Sequence, residues 1–377
     1  MKGSREELVE FRPILVSPFK IVFIKNSDLL LHLPWQFFCF LCGIITTMSR
    51  KKIAFVTGGY SGESVISYKS AITIENNIDK EKYDVYKIDI HPTGWWYESE
   101  EGEEISVDKN DFSIKVNGSK ITFDAVLIGI HGTPGEDGKL QGYFDMLKIP
   151  YTSCNAATSA LTFNKRYTVA AVAFGGINVA RSVLLIKNSF TNADDIADKL
   201  RFPVFIKPNN GGSSIGMSKV NAPSEELGAA IEKAFKEDDQ VLIEEFIQGR
   251  EFTIGVFKTK GKIITMPITE VISKKDFFDY EAKYVKGMSE EITPAGVDEA
   301  IANKIRSNAS KIYEILNCRG VVRIDFIYNE VDEQPYMLEV NTVPGQSEAS
   351  IVPQQVRAMG WTLKDFYSTL LEECLNY

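Results

Sequence analysis

Arg323 and Asp325 stand two residues apart in the apolar run VVRIDFIY, and Glu339 and Asn341 stand two apart in YMLEVN. Side chains at i and i+2 of a strand share one face, about 7 Å apart. The polar turn NEVDEQP between the runs makes them antiparallel neighbours. When their faces agree, Asp325, Glu339 and Asn341 converge. Two carboxylates forced together away from water repel strongly unless a cation intervenes. Hard oxygen donors without His or Cys suit magnesium, which takes one or two carboxylates together with substrate phosphates. Arg323 beside them would hold a phosphate or an oxyanion. An exposed strand face with solvated acids would show the same alternation, so the convergence is an expectation.

A magnesium site of this kind needs a phosphate cradle. GTPGEDGK is not a Walker A loop: five residues separate Gly132 from Gly138, and Leu140 stands where Ser or Thr is needed. Glu136 and Asp137 within it would repel phosphate. GGYSGES lacks the glycine spacing of a dinucleotide fingerprint. KPNNGGSSIGMSKV is the better candidate. Lys207 ends the apolar strand FPVFIK, and Gly211, Gly212, Ser213 and Ser214 follow. Glycines let backbone N–H groups turn toward one point, serines add hydroxyl donors, and the lysine supplies a point charge. A flexible hairpin loop is the competing explanation for Gly-Gly-Ser-Ser.

The elements that must position these groups alternate. KIAFVTGG, YDVYKIDI and FDAVLIGIHG (ending at His131) read as strands, and PYTSC as the start of another. YKSAITIENNI and LQGYFDMLKI read as helices. Such alternation predicts a parallel sheet with helices on its faces, and ligands gather at the carboxyl ends of its strands. RFPVFIKPNNGGSSIGMSKV reads as strand, glycine loop, strand; QVLIEEFIQGREFTIGVF as strand, turn, strand. Residues 298–316 are helical in pattern, and 363–375 form a closing amphipathic helix. No internal repeat is present.

Composition sets the outer bounds. A chain of 377 residues, 44% hydrophobic and 25% charged, is globular and long enough for two or three domains. A net charge of −9 argues against a broad nucleic-acid surface. Five scattered cysteines make no disulfide framework, which fits a reducing compartment. Residues 29–45 are apolar-rich but interrupted by His32, Pro34 and Gln36, short of the roughly 20 residues a bilayer needs. Met48 then precedes SRKKIAFVTGG. A signal or anchor segment and an extra core element are the competing readings; we expect Met48 to be the working start, residues 1–47 to be a non-native or disordered extension, and the protein to be cytoplasmic without stable membrane association.

Residues 51–377 resemble the D-alanine–D-alanine ligases of the ATP-grasp superfamily. The resemblance rests on GGYSGE, HGTPGEDGKLQG, SALTFNK, KPNNGGSSIGMSKV, DYEAKY, RIDF and LEVNTVPG, occurring in that order. It implies an α/β (α+β) ATP-grasp fold. The expected parts are an N-terminal doubly wound parallel-sheet domain (48–152), a central ATP-binding part (153–246) and a C-terminal mixed-sheet part with the magnesium site (247–377). It implies ATP-dependent joining of two D-alanines through a D-alanyl phosphate, for peptidoglycan precursors, by a homodimer.

The roles that the resemblance implies are these. Lys165 and Lys207 meet the ATP phosphates, Ser213 and Ser214 belong to the loop over them, Glu244 lies by adenine and Glu251 by the ribose. Lys283 approaches the γ-phosphate when its loop closes. Asp325, Glu339 and Asn341 hold two magnesium ions, replaceable by manganese, with Glu339 bridging. Glu63 binds the first D-alanine's ammonium and His131 lies near it; Tyr284, Ser213 and Glu63 tie closed loops together. Arg323 and the Gly345 N–H steady the oxyanion; Ser350 and the Ile351 backbone hold the second carboxylate. GGYSGESVIS lacks a second acid common after the Glu63 position, and Asn209 and Asn210 replace charged or small residues. Ligation of D-lactate, another ATP-grasp carboxylate–amine ligase, and an inactive ATP-binding protein are the alternatives. Tyr284 in EAKY favours the dipeptide.

Overall fold

The computed structural model describes residues 12–17, 20–24, 50–188, 193–212, 214–223, 225–273 and 289–376. Residues 29–45, Met48, Ser213, Lys283, Tyr284 and most of the expected lid KKDFFDYEAKYVKGMSEE lie outside them. Strands β1 (Arg12–Ser17) and β2 (Lys20–Ile24) pair as an antiparallel hairpin in a unit of their own. Everything from Lys51 to Tyr377 belongs to a second unit.

That second unit begins with β3 (Lys51–Gly58), buried over nearly its whole length as a central parallel strand must be. It runs parallel to β4 (Tyr83–His91) on one side. β5 (Gly94–Glu98) and β6 (Glu104–Ser106) extend the sheet beyond β4 as antiparallel edge strands. A separate small hairpin joins β7 (Ile114–Val116) to β8 (Ser119–Ile121). β9 (Ala125–Ile128) lies parallel to β3 on its other side. Alternate residues of β3 serve two cores. Ile53 and Phe55 pack with Ala71 and Ile74 of α1 (Ser64–Asn77). Ala54 and Val56 pack with Leu140 and Phe144 of α2 (Lys139–Leu147). Two expected boundaries move. The strand expected to reach His131 ends at Ile128, and PYTSC yields only a bridge from Tyr151 to Val126. Asn155 already accepts from Thr158 N–H at 2.8 Å, capping α3 (Ala156–Phe163), so no length remains for a strand.

A second, antiparallel sheet has the order β10 (Ser182–Ile186), β13, β11 (Val204–Pro208), β12 (Ser218–Val220), with β13 spanning Gln240–Glu245. It follows α4 (Lys165–Phe174) in the chain. Ile196 of α5 (Ala193–Ala197) and Leu227, Ala230 and Ala234 of α6 (Glu225–Ala234) cover its apolar face.

The third sheet is also antiparallel. β14 (Arg250–Thr259) pairs with β15 (Lys262–Thr265), β16 (Thr269–Ser273) and β18 (Val321–Asn329); β17 (Ser289–Ile292) flanks β16, and β19 (Gln334–Asn341) flanks β18. The strand–turn–strand expected over QVLIEEFIQGREFTIGVF is therefore a crossover between sheets. One face buries Phe252, Ile254, Ile324 and Phe326 against Val169 and Val172 of α4 and Ile305, Ala309 and Ile312 of α7 (Glu299–Ile315). The other face turns Thr253, Arg323 and Asp325 to a cleft at one end and buries Phe257 and Val321 at the other. α8 (Ile351–Ala358) and α9 (Leu363–Cys374) then return the chain to the first sheet, where Phe366, Leu370 and Leu371 join the core holding Ile53 and Phe55. Burying such side chains contributes roughly 1.5–3 kcal/mol each. The first and third sheets thus share a core.

Candidate active site

Registers in the third sheet answer the question raised by the two acidic runs. Arg323 pairs with Asn341 and Asp325 with Glu339, so all four side chains share a face. Thr253 lies opposite Asp325 on the neighbouring strand and adds its hydroxyl, which donates to Asp325 Oδ1. Arg323 forms a fork on Asp325, with Nε to Oδ1 at 2.9 Å and Nη2 to Oδ2 at 2.7 Å. Its Nη2 also stands 3.5 Å from Glu339 Oε1. Asn341 Oδ1 accepts from Val343 N–H at 2.9 Å, which fixes the amide. The ladder slips between Asp325 and Phe326, where Phe326 pairs with Met337 and leaves Leu338 extra. This bulge lets Met337 enter the core while Glu339, two residues on, faces the opposite way.

The glycine loop closes a second wall. Lys207 meets Glu244 at 2.5 Å, the pair being diagonal neighbours across β11 and β13. Both side chains are largely buried, where ion pairs matter because a lone charge is costly. Lys165 opens α4, whose cap Asn164 accepts from Tyr167 N–H at 3.0 Å. Lys165 Nζ reaches the Gly211 carbonyl at 2.6 Å, tying that lysine to the loop. Asn209 and Asn210, left without a role by sequence, act as struts. Fully buried Asn209 accepts from Lys165 N–H through its carbonyl and from Arg166 N–H through Oδ1. Asn210 donates from its backbone and amide to Asp238 at 2.6 and 2.8 Å. Gly211 holds φ +98°, a left-handed conformation that side chains disfavour.

Glu63 and His131 arrive from the carboxyl ends of β3 and β9. A Cβ at Gly212 would lie 2.7 Å from Glu63 Oε1, so the glycine loop rests directly on that carboxylate. His131 Nε2 is 3.0 Å from Ser70 Oγ, and Nδ1 is 3.6 Å from Glu136. On the far side, Gly345 sits against Ser350: a Cβ there would meet Ser350 Oγ at 2.9 Å. Ser350 Oγ bonds Ser347 Oγ at 2.7 Å, and Ile351 begins α8. Glu291, absent from the candidates, accepts from Gln354 at 2.7 Å. Burial raises its carboxyl above the ordinary value, the Gln354 bond and nearby Arg323 opposing. No local signal marks Glu291, because only its strand pairing brings it to the site.

All of these meet in one cleft of about 1170 Å³, lined by every described candidate, Ser214, Glu251 and Ile351 included. Ser213, Lys283 and Tyr284 keep only the roles that resemblance implies. Among the described residues no three His, Cys, Asp or Glu side chains group as a metal site. The expected set has two carboxylates and an amide. Hard oxygens paired across one ladder, beside lysines, fit a magnesium ion carried mainly by phosphates. Among the described residues no helix is long and apolar enough to cross a membrane.

Two antiparallel sheets with a shared cleft, preceded by a parallel one, form the architecture of an ATP-grasp ligase. The VanG D-Ala:D-Ser ligase of Enterococcus faecalis matches with TM-score 0.78 and 31% identity, covering 86% of this chain and 99% of that one. The ATP complex of the Bacillus anthracis D-alanine–D-alanine ligase matches with TM-score 0.70 and 28% identity, over 87% and 98%. Family models described as D-ala D-ala ligase N-terminus and C-terminus match residues 52–154 and 172–372. The D-alanine–D-alanine ligase of Flavobacterium johnsoniae is 46% identical over 322 residues, 85% of this chain and 98% of that protein. That of Phocaeicola vulgatus is 47% identical over 323 residues, 86% and 99%. The chain belongs to the D-alanine–D-alanine ligase family.

Proposed function

We propose that the protein uses ATP to join two D-alanines into D-alanyl-D-alanine for cell-wall synthesis. The observation that carries this is the meeting, in one cleft, of the Arg323–Asp325–Glu339–Asn341 face with the Lys165–Lys207 loop wall and with Glu63 and His131. A carboxylate and an amine do not condense in neutral water, so the carboxylate must first gain a leaving group. The first D-alanine's carboxylate attacks the γ-phosphorus of ATP, releasing ADP and leaving an acyl phosphate. The second D-alanine's amine attacks the acyl carbon, and phosphate departs.

Glu63 offers its carboxylate to the first ammonium, with His131 alongside. Lys165 and Lys207 meet the phosphates, Lys207 exchanging part of its bond to Glu244 for them. Arg323 and the Gly345 N–H face the developing oxyanion. Ser350 and the Ile351 N–H at the start of α8 hold the second carboxylate. Asp325, Glu339 and Asn341 would hold magnesium, which when bound neutralises charge on the transferring phosphates. An acyl phosphate hydrolyses when wetted, so the loop carrying Gly212 closes over it. We also assign domain divisions after residues 152 and 246, a homodimer, and a cytoplasmic site of action. The confinement of each sheet to one of those stretches supports the divisions.

The test is product analysis with ATP, magnesium and D-alanine, with D-serine and D-lactate as rival acceptors. Dipeptide and ADP should appear one for one. Turnover only with another acid–amine pair would overturn the assignment.

A further inference from the structure

We propose that Ser70 is a positioning residue that locks the first amino-acid subsite to the oxyanion loop through a single buried hydroxyl. The role rests on the ligase function proposed above. Ser70 lies on α1, two turns beyond Glu63, and is fully buried. Its Oγ is 3.0 Å from His131 Nε2 and accepts from Gln346 N–H at 3.1 Å. Gln346 directly follows Gly345 and is itself buried and tethered. Its Oε1 accepts from Tyr367 O–H at 3.2 Å, and its Nε2 donates to the Pro344 carbonyl at 3.2 Å. Ser67, one turn before Ser70, accepts from His131 N–H at 2.9 Å. One helix therefore starts directly after Glu63, clasps His131 by ring and backbone, and fixes the peptide beside Gly345.

The chemistry requires a hydroxyl. A serine oxygen carries one proton and two lone pairs. Gln346 N–H occupies a lone pair. The Glu136 carboxylate, an acceptor only, faces Nδ1 of His131 and favours the ring proton there. In that tautomer Nε2 is an acceptor, and the Ser70 proton is directed at it. Removing the hydroxyl leaves a buried amide and a buried ring nitrogen unsatisfied together. Two groups on loops that follow different sheets lose their common anchor, and a misplacement on the order of 1 Å between reacting groups is enough to cost about 100-fold in rate.

Ser70→Ala, Ser70→Cys and Ser70→Thr are compared with the wild type for kcat, KM for D-alanine, KM for ATP and Tm. Ser70→Ala should lower kcat/KM for D-alanine by about 10- to 100-fold and leave KM for ATP within about twofold. Ser70→Thr, which keeps the hydroxyl, should recover most of the loss. Ser70→Cys keeps the volume but donates weakly, so it should resemble Ala and serves where the Ala variant folds poorly. Wild-type kinetics in Ser70→Ala or Ser70→Cys, equal losses in Thr and Ala, or a loss tracking only the folded fraction would overturn the role. Wild-type dipeptide formation separates the two claims. If it is absent, the ligase function falls and this role with it; if it is present beside an indifferent Ser70→Ala, only this role falls.

Discussion

The first and third sheets present their functional groups in different ways. The parallel sheet carries Glu63 and His131 on turns past its strand ends, where no ladder holds them. The antiparallel sheet carries Arg323, Asp325, Glu339 and Asn341 on strand faces, β18 held by a ladder on each side and the edge strand β19 by one. Strand-borne groups inherit their positions from the sheet. Turn-borne groups need separate tethers, and they have them: Ser67 and Ser70 for His131, and the glycine loop packed on Glu63. Chemistry on the face therefore fails by losing a charge, and chemistry on the turns fails by losing a contact.

The largest effect expected is at the face. Glu339→Gln keeps the shape and removes a charge, so kcat should fall on the order of 1,000-fold or more while Tm holds. Near-normal turnover would break the comparison and the metal assignment with it. Arg323→Ala should cost on the order of 100-fold in kcat, as for a lost oxyanion donor. It should also lower Tm, because among the described residues Asp325 would keep only the Thr253 hydroxyl.

Gly212→Ala probes the turns. The new Cβ would fall 2.7 Å from Glu63 Oε1, and the flexible carboxylate would give way before the backbone. KM for D-alanine should rise about tenfold with kcat and Tm little changed. A fall in kcat as deep as that of Glu339→Gln would erase the distinction between face and turn.

The smallest effect belongs to Glu291, a strand-borne carboxylate raised by burial. The folded protein holds its proton more tightly than the unfolded chain does. The associated stability is complete below the ordinary carboxylate range and is lost as pH rises through the raised value. Glu291→Gln keeps the acceptor for Gln354 and carries no charge. Its Tm should exceed that of the wild type by about 1–3 °C at pH 8 and match it near pH 4. An unchanged gap across that range would show that the carboxyl is not desolvated.

Much of the strand framework was legible because apolar runs and turn residues mark it: KIAFVTGG, YDVYKIDI, the strands around the glycine loop and the closing helix all form. α3 and α8 were not legible, since at eight residues each is too short for an apolar pattern to separate a helix from a buried strand or loop. Thr253, Ser70, Gln346 and Glu291 escaped for another reason. Each gains meaning only from a partner on a different element.

By itself the sequence determined that Arg323 with Asp325, and Glu339 with Asn341, share faces, because side-chain alternation is set by backbone sterics within each strand. Only the tertiary structure decided that the two faces coincide. Strict alternation would put Met337 beside Glu339; the extra residue Leu338 turns one into the core and the other into the cleft. The return of α9 to the first sheet was decided in the same way. Register and closure depend on contacts between distant parts of the chain, and no local pattern encodes them.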